Sequence, residues 1–222
     1  MESLESHEVR RADFAKRFNA EKERRRELAR HLESAKLLFQ KRDIKAALSE
    51  LDEAAVISGN DPDVQNLRGS CHVEMRDFDQ ALEAFEKAAE ARKDNPSIQF
   101  NIGEVYFVTK RWQEALDVFE KVGSQLPPEN TALARLVDFK ILLCMKQLGR
   151  NAEALALADR QDLPDDSPFH CYAKAALAFG DGKPELADEW LATAAKRFPD
   201  PNVRAPWQDT LVEYGIFTPF EP

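Results

Sequence analysis

The chain has 222 residues, of which 43% are apolar and 32% charged, with a formal net charge of −9. That length allows one or two domains with a substantial core, and that charge argues against general affinity for nucleic acid backbones. Only 8 glycines occur, while Ala, Leu, Glu, Lys and Arg dominate, so an almost entirely helical protein is expected.

The N-terminal segment "EVRRADFAKRFNAEKERRRELAR", residues 8–30, lacks glycine and proline and reads as a helix. Nine bases stand against five acids there, a local balance of +4. The acids interleave the bases, and pairs such as Asp13–Arg17 and Glu21–Arg25 fall at i, i+4. A solvated helix is the reading preferred over an anion- or RNA-binding arm built on Arg24, Arg25 and Arg26. Phe14 and Phe18 form a short apolar face, but its heptad continuation meets Glu21 and Arg25, which argues against a long coiled coil.

A repeat follows. Ala47, Ala81 and Ala115 recur at a 34-residue step. Leu51, Phe85 and Phe119 come four residues later, then Ala54, Ala88 and Val122 three beyond. The spacing i, i+4, i+7 is one helical face. Ala35, Gly69 and Gly103 share the step, as do Pro62 and Pro96. Two drifted copies follow. Ala154 comes 39 residues after Ala115, which places about five inserted residues near "PPENTAL", and Ala187 comes 33 after Ala154. Small residues permit helices to approach at the near end of about 8–10 Å, with Phe or Leu filling the gaps between. Proline suits a first helical turn, where its missing N–H costs nothing. Near the C-terminus, Trp207, Leu211 and Tyr214 fall at i, i+4, i+7. They are expected on a short helix that caps the open end of a stack, followed by a tail with Ile216, Phe217 and Phe220.

A 34-residue period with a small residue early, Ala–x3–Phe in the middle and proline at the boundary resembles the tetratricopeptide repeat. The third copy, "IQFNIGEVYFVTKRWQEALDVFEKV", carries it best, with Gly103 and Ala115 at the small positions and Tyr106 and Phe119 at the aromatic ones. The resemblance implies an all-α, right-handed α-solenoid of about five helical hairpins. The expected organisation is a basic N-terminal helical extension over 1–27, repeats at 28–61, 62–95, 96–129, 135–167 and 168–201, and a capping helix with aromatic tail over 202–222. It further implies that the first helix of each repeat lines a concave groove. Carried over residue by residue, the groove is formed by Leu32, Lys36 and Phe39, then Asn66, Ser70 and Val73, then Phe100, Glu104 and Phe107. Phe139 and Leu143 follow, and Phe169, Tyr172, Ala176 and Phe179 complete it. The family's carboxylate clamp needs Lys and Asn where this chain has Leu32 and Lys36, or Asn66 and Ser70. An aromatic, apolar groove suits an amphipathic helix or extended peptide with hydrophobic anchors instead.

No constellation for catalysis, cofactor or metal emerges. "GDGKP" at Gly180 lacks phosphate-loop spacing. Cys71–His72 and His170–Cys171 are adjacent pairs, and neighbours on a helix point about 100° apart, so neither pair grips one ion. Three sparse cysteines, Cys71, Cys144 and Cys171, read as reduced core thiols rather than a disulfide framework. The expected function is a non-catalytic interaction scaffold binding a protein or peptide partner, with no cofactor. The alternatives are a homo-oligomer joined through the N-terminal helix or the C-terminal tail, a groove occupied by the Phe14/Phe18 helix or the Phe217/Phe220 tail, and anion or RNA binding through the basic helix. No run of about 18 apolar residues suggests a membrane span. The expected compartment is the cytoplasm, or the periplasm or exterior if a signal peptide has been cleaved.

Overall fold

A computed structural model describes residues 4–127, 131–159 and 167–216, with the side chains of 4–9 and of 131 excepted. All regular structure among the described residues is α-helical. The chain divides into two compact units, residues 1–93 and 94–222. The first holds α1 (Leu4–Gln40), α2 (Ile44–Ser58), α3 (Pro62–Glu74) and α4 (Phe78–Ala91). The second holds α5 (Pro96–Val108), α6 (Trp112–Gln125), α7 (Thr131–Gln147), α8 (Asn151–Asp159), α9 (Phe169–Gly180), α10 (Pro184–Arg197) and α11 (Pro201–Tyr214). Each unit is built from helical hairpins: α1/α2 and α3/α4 in the first, α5/α6, α7/α8 and α9/α10 in the second.

Each hairpin turns through one conformation. Arg42, Arg76, Lys110, Gly149 and Gly182 all have positive φ, between 59° and 76°. Their spacing repeats the 34, 34, 39 and 33 steps of the buried alanines. In each turn this residue's N–H bonds back three positions and the next N–H bonds back five, as in Lys110 to Phe107 and Arg111 to Tyr106. That pair of bonds is a Schellman closure, which satisfies carbonyls left open at a helix end. The following helix then starts at once. Prolines open α3, α5, α10 and α11. Asp61, Asn95 and Asp200 cap three of these helices through bonds to the first free backbone N–H groups.

Packing within the α3/α4 and α5/α6 hairpins turns on a glycine facing a phenylalanine. A Cβ added to Gly69 would lie 2.5 Å from the Phe85 ring, and one added to Gly103 would lie 2.7 Å from Phe119. Ala47, Ala81, Ala115, Ala154 and Ala187 are all fully buried. The inserted residues of the fourth repeat lengthen its first helix. α7 starts 18 residues before its turn residue Gly149, where α5 starts 14 before Lys110. The difference is about one helical turn.

The basic extension and the first repeat are one continuous helix, so no break marks the 27/28 boundary. Residues 10–27 are exposed throughout, and α1 carries the pairs Arg25–Glu21 at 2.9 Å and Arg26–Glu23 at 3.4 Å. Arg24 donates to the carbonyl of Ile57 at the end of α2. Two of the three consecutive arginines are therefore paired with acids of their own helix. No described helix is long and apolar enough to cross a membrane.

Two substitutions separate the crossing from the turn. Gly103→Ala forces a methyl into the Phe119 ring and is expected to cost about 1–3 kcal/mol by overpacking. Gly149→Ala meets no atom within 4 Å, yet it is expected to cost about 1 kcal/mol from the left-handed backbone alone. Urea denaturation of both variants checks these values.

Candidate functional site

The first helices of the three hairpins in the second unit share one further neighbour: α11 packs on α5, α7 and α9. Its sequence explains its place. Asp200 accepts from the Asn202 N–H at 2.9 Å, with Pro201 in the first turn. Gly215, at φ 97°, ends the helix with the same double bond used by the hairpin turns, Gly215 to Val212 and Ile216 to Leu211. Trp207, Thr210 and Leu211 are buried along one side. Trp207 packs against Phe139, Tyr172 and Phe169, with ring centroids 5.5, 6.0 and 6.4 Å away. Tyr214 packs against Trp112 and Phe107 at 5.7 and 6.3 Å. Seven residues of helix rise about 10.5 Å, close to the about 8–10 Å between packed helices. Trp207 thus engages α7 and α9 while Tyr214 engages α5 and α6.

α11, the helix expected as a cap, lies across the first helices of all three hairpins of this unit. The spacing of Trp207, Leu211 and Tyr214 marks an apolar helix face, but such a face covers either the end of a stack or its inner side. α11 lies on the rings of Phe107, Phe139, Phe169 and Tyr172. Phe14 and Phe18 stack on each other at 6.3 Å and remain 71% and 59% exposed. Phe217 and Phe220 lie outside the described residues.

The groove residues drawn from the resemblance fall into distinct environments. In the first unit, Lys36 is exposed, while Leu32, Phe39, Asn66, Ser70 and Val73 are half-buried. Leu32 and Phe39 pack with Leu28, Ile44 and Leu48 around the core of that unit. In the second unit, Phe107, Phe139, Leu143, Phe169, Tyr172 and Ala176 are buried. Phe100 is half-buried against Phe119 at 5.7 Å. Phe179 is half-buried beside Ala175, Ala178 and Ala187.

Glu104 belongs to a charged cluster whose centre the sequence reading missed. Lys140, on α7, is 1% exposed. Its Nζ lies 2.8 Å from Glu104 Oε1 on α5 and 3.3 Å from Glu213 Oε2 on α11, and 4.6 Å from the Phe107 ring centroid. Glu104 is half-buried as a residue, but its Oε1 is sealed from solvent. Burial pushes its carboxyl above the usual range, Lys140 pulls it back, and Glu213 adds repulsion. The signal available in the sequence was a lone lysine inside the apolar run "FKILLC". Burial also pushes the phenols of Tyr172 and Tyr214 up to about 12, so both remain neutral packing groups. Cys71 and Cys144 are raised to about 11 and about 12 by burial, and all three cysteines are free and buried. That places them as inert core thiols. Among the described residues, no group of three His, Cys, Asp or Glu side chains is placed to hold a metal ion.

One element of α11 works against it. Pro206 stands inside the helix, where it removes a backbone donor and costs about 3 kcal/mol. The helix is held by its contacts with α5, α7 and α9 rather than by its own propensity.

Residues 66–125 match the family model of the tetratricopeptide repeat. That segment carries the tetratricopeptide repeat. Among solved structures, pilF of Pseudomonas aeruginosa aligns over 87% of this chain and 97% of its own, at 17% identity and a TM-score of 0.61. The thermophilic TPR protein TTC0263 of Thermus thermophilus aligns over 83% and 99%, at 18% identity and 0.59. YrrB, described as a TPR protein with an unusual peptide-binding site, aligns over 81% and 90%, at 22% identity and 0.56. At these identities the likeness is one of fold. No curated protein matches the chain.

Removing the buried cation leaves a sealed carboxylate unpaired. Lys140→Met is expected to destabilise the chain by about 3 kcal/mol. Adding Glu104→Leu to it should recover most of that loss, as a double-mutant cycle in urea will show.

Proposed function

We propose that this tetratricopeptide-repeat chain is a non-catalytic interaction scaffold whose inner helical face binds an amphipathic helix or peptide segment of a partner protein. The observation that carries this reading is the packing of α11 on α5, α7 and α9, since a surface that accepts one apolar helix has the shape and chemistry to accept another. The peptide-binding site named for YrrB agrees with that ligand class. Partly accessible residues of the second unit's first helices, Phe100 and Phe179, offer anchoring positions beyond those under α11.

Selection of helical peptides from a random displayed library on the immobilised full chain tests the proposal. Recovered ligands should lose at least about tenfold in affinity on Phe100→Ser or Phe179→Ser, a change of about 1.4 kcal/mol. They should be indifferent to Leu155→Ser, at an exposed position of α8. The reverse pattern would move binding off the inner face.

A second reading is self-association through α1, favoured by the exposed, stacked Phe14 and Phe18. Light scattering should then show an oligomer that Phe14→Ala/Phe18→Ala dissolves, and a concentration-independent monomer would remove this reading.

A further inference from the structure

We infer that α11 is a resident stand-in for the partner helix. The face formed by α5, α7 and α9 then selects helices with an aromatic residue, a leucine four positions on, a carboxylate six on and a second aromatic seven on. The inference rests on the scaffold reading and names the partner chemistry of the same site. In α11 these positions are Trp207, Leu211, Glu213 and Tyr214.

Three observations carry it. The first is that the apolar anchors reach separate partners: Trp207 meets the rings of α7 and α9, and Tyr214 meets Phe107 of α5 and Trp112 of α6. Such spaced anchors are how a helix is read in a groove. The second is polar and specific. Lys140 is buried on the floor of the face, and its ammonium reaches Glu213 of the docked helix as well as Glu104 of the floor. A buried cation facing the ligand discriminates against a helix with a neutral or basic residue there, because charge pairs confer specificity across an interface.

The third concerns exchange. α11 carries Pro206 in its interior and joins α10 through residues 198–200 alone. A short tether gives the resident helix a high effective concentration, and the proline weakens its hold. An external helix without that proline competes on its own affinity, and its apparent affinity is set by how often α11 leaves.

The probe is a fluorescein-labelled synthetic peptide with the sequence of residues 201–216, carrying Pro206→Ala. Anisotropy titration compares the wild-type full chain with Trp207→Ala/Tyr214→Ala, in which the resident helix has lost its anchors. The variant should bind the probe at least about tenfold more tightly than wild type. A second probe that also carries Glu213→Lys should bind the variant at least about tenfold more weakly. If circular dichroism shows the double variant to have lost its helices, full-chain Glu213→Lys replaces it, since a cation opposite Lys140 opposes docking without removing an apolar anchor.

A folded, opened chain that binds the probe no better than wild type overturns the inference. Equal binding of the probes with and without Glu213→Lys overturns the carboxylate requirement. Library-selected ligands that bind wild type and opened chain equally would leave the scaffold reading standing while removing α11 as its stand-in.

Discussion

The structure depends on one packing constraint, the complementarity of volume where the two helices of a hairpin cross. Sixteen residues separate the two sides of that crossing in every repeat. Gly69 meets Phe85 and Gly103 meets Phe119, and the same step relates Ala35 to Leu51, Leu142 to Ala158 and Ala175 to Leu191, each pair within one core cluster. Each joins a small residue to a large one, and the fourth repeat reverses the order. Interiors are close-packed, so changing one side without the other opens a cavity or forces overlap. The reversal in the fourth repeat explains why its helix signature is faint although its core is fully buried. The constraint acts on the sum of two positions, and a sequence motif records only one of them.

A hairpin that satisfies this crossing still leaves its first helix with an apolar outer side, which must meet another hairpin, a terminal helix or a partner. In the second unit that side is unusually rich in rings: Phe107, Phe139, Phe169 and Tyr172. α11 resolves the exposure by lying along it. The same act brings Glu213 to Lys140, which already holds Glu104. A buried ion pair adds little stability of its own, yet losing one member is costly. The cluster therefore places a charged contact beneath α11, and the rings supply most of the attraction.

Much of the fold was legible because helical hairpins repeat their chemistry at a fixed step. The alanines at 47, 81 and 115, their displaced partners at 154 and 187, and the prolines that open helices could all be read directly. The turn residues were not. Arg42, Arg76 and Lys110 adopt the left-handed backbone that glycine takes at 149 and 182. A surface arginine or lysine carries no sequence mark of its φ, so only the Schellman bonds reveal the common geometry. The candidate site was legible in composition and not in state. Aromatic positions on the first helices could be assigned by register, but whether they are open depends on where α11 docks. That is decided by tertiary competition between surfaces, and periodicity within α11 is silent on it. Lys140 was hidden for a related reason, since its partners lie on two other helices, 36 residues before it and 73 after.

These features also explain why a helix with an interior proline persists at this position. A free segment of 14 residues with Pro206 would scarcely be helical in water. Docked, it gains the burial of Trp207 and Leu211, roughly 1.5–3 kcal/mol for each large apolar side chain. Those gains offset the proline penalty without greatly exceeding it, and the short connection to α10 keeps the segment near its site. The balance differs from that of the hairpins, whose crossings are lined by buried alanines and whose turns are closed by paired backbone bonds. α11 is thus held by the side that it lays on α5, α7 and α9, with the connection to α10 keeping it near.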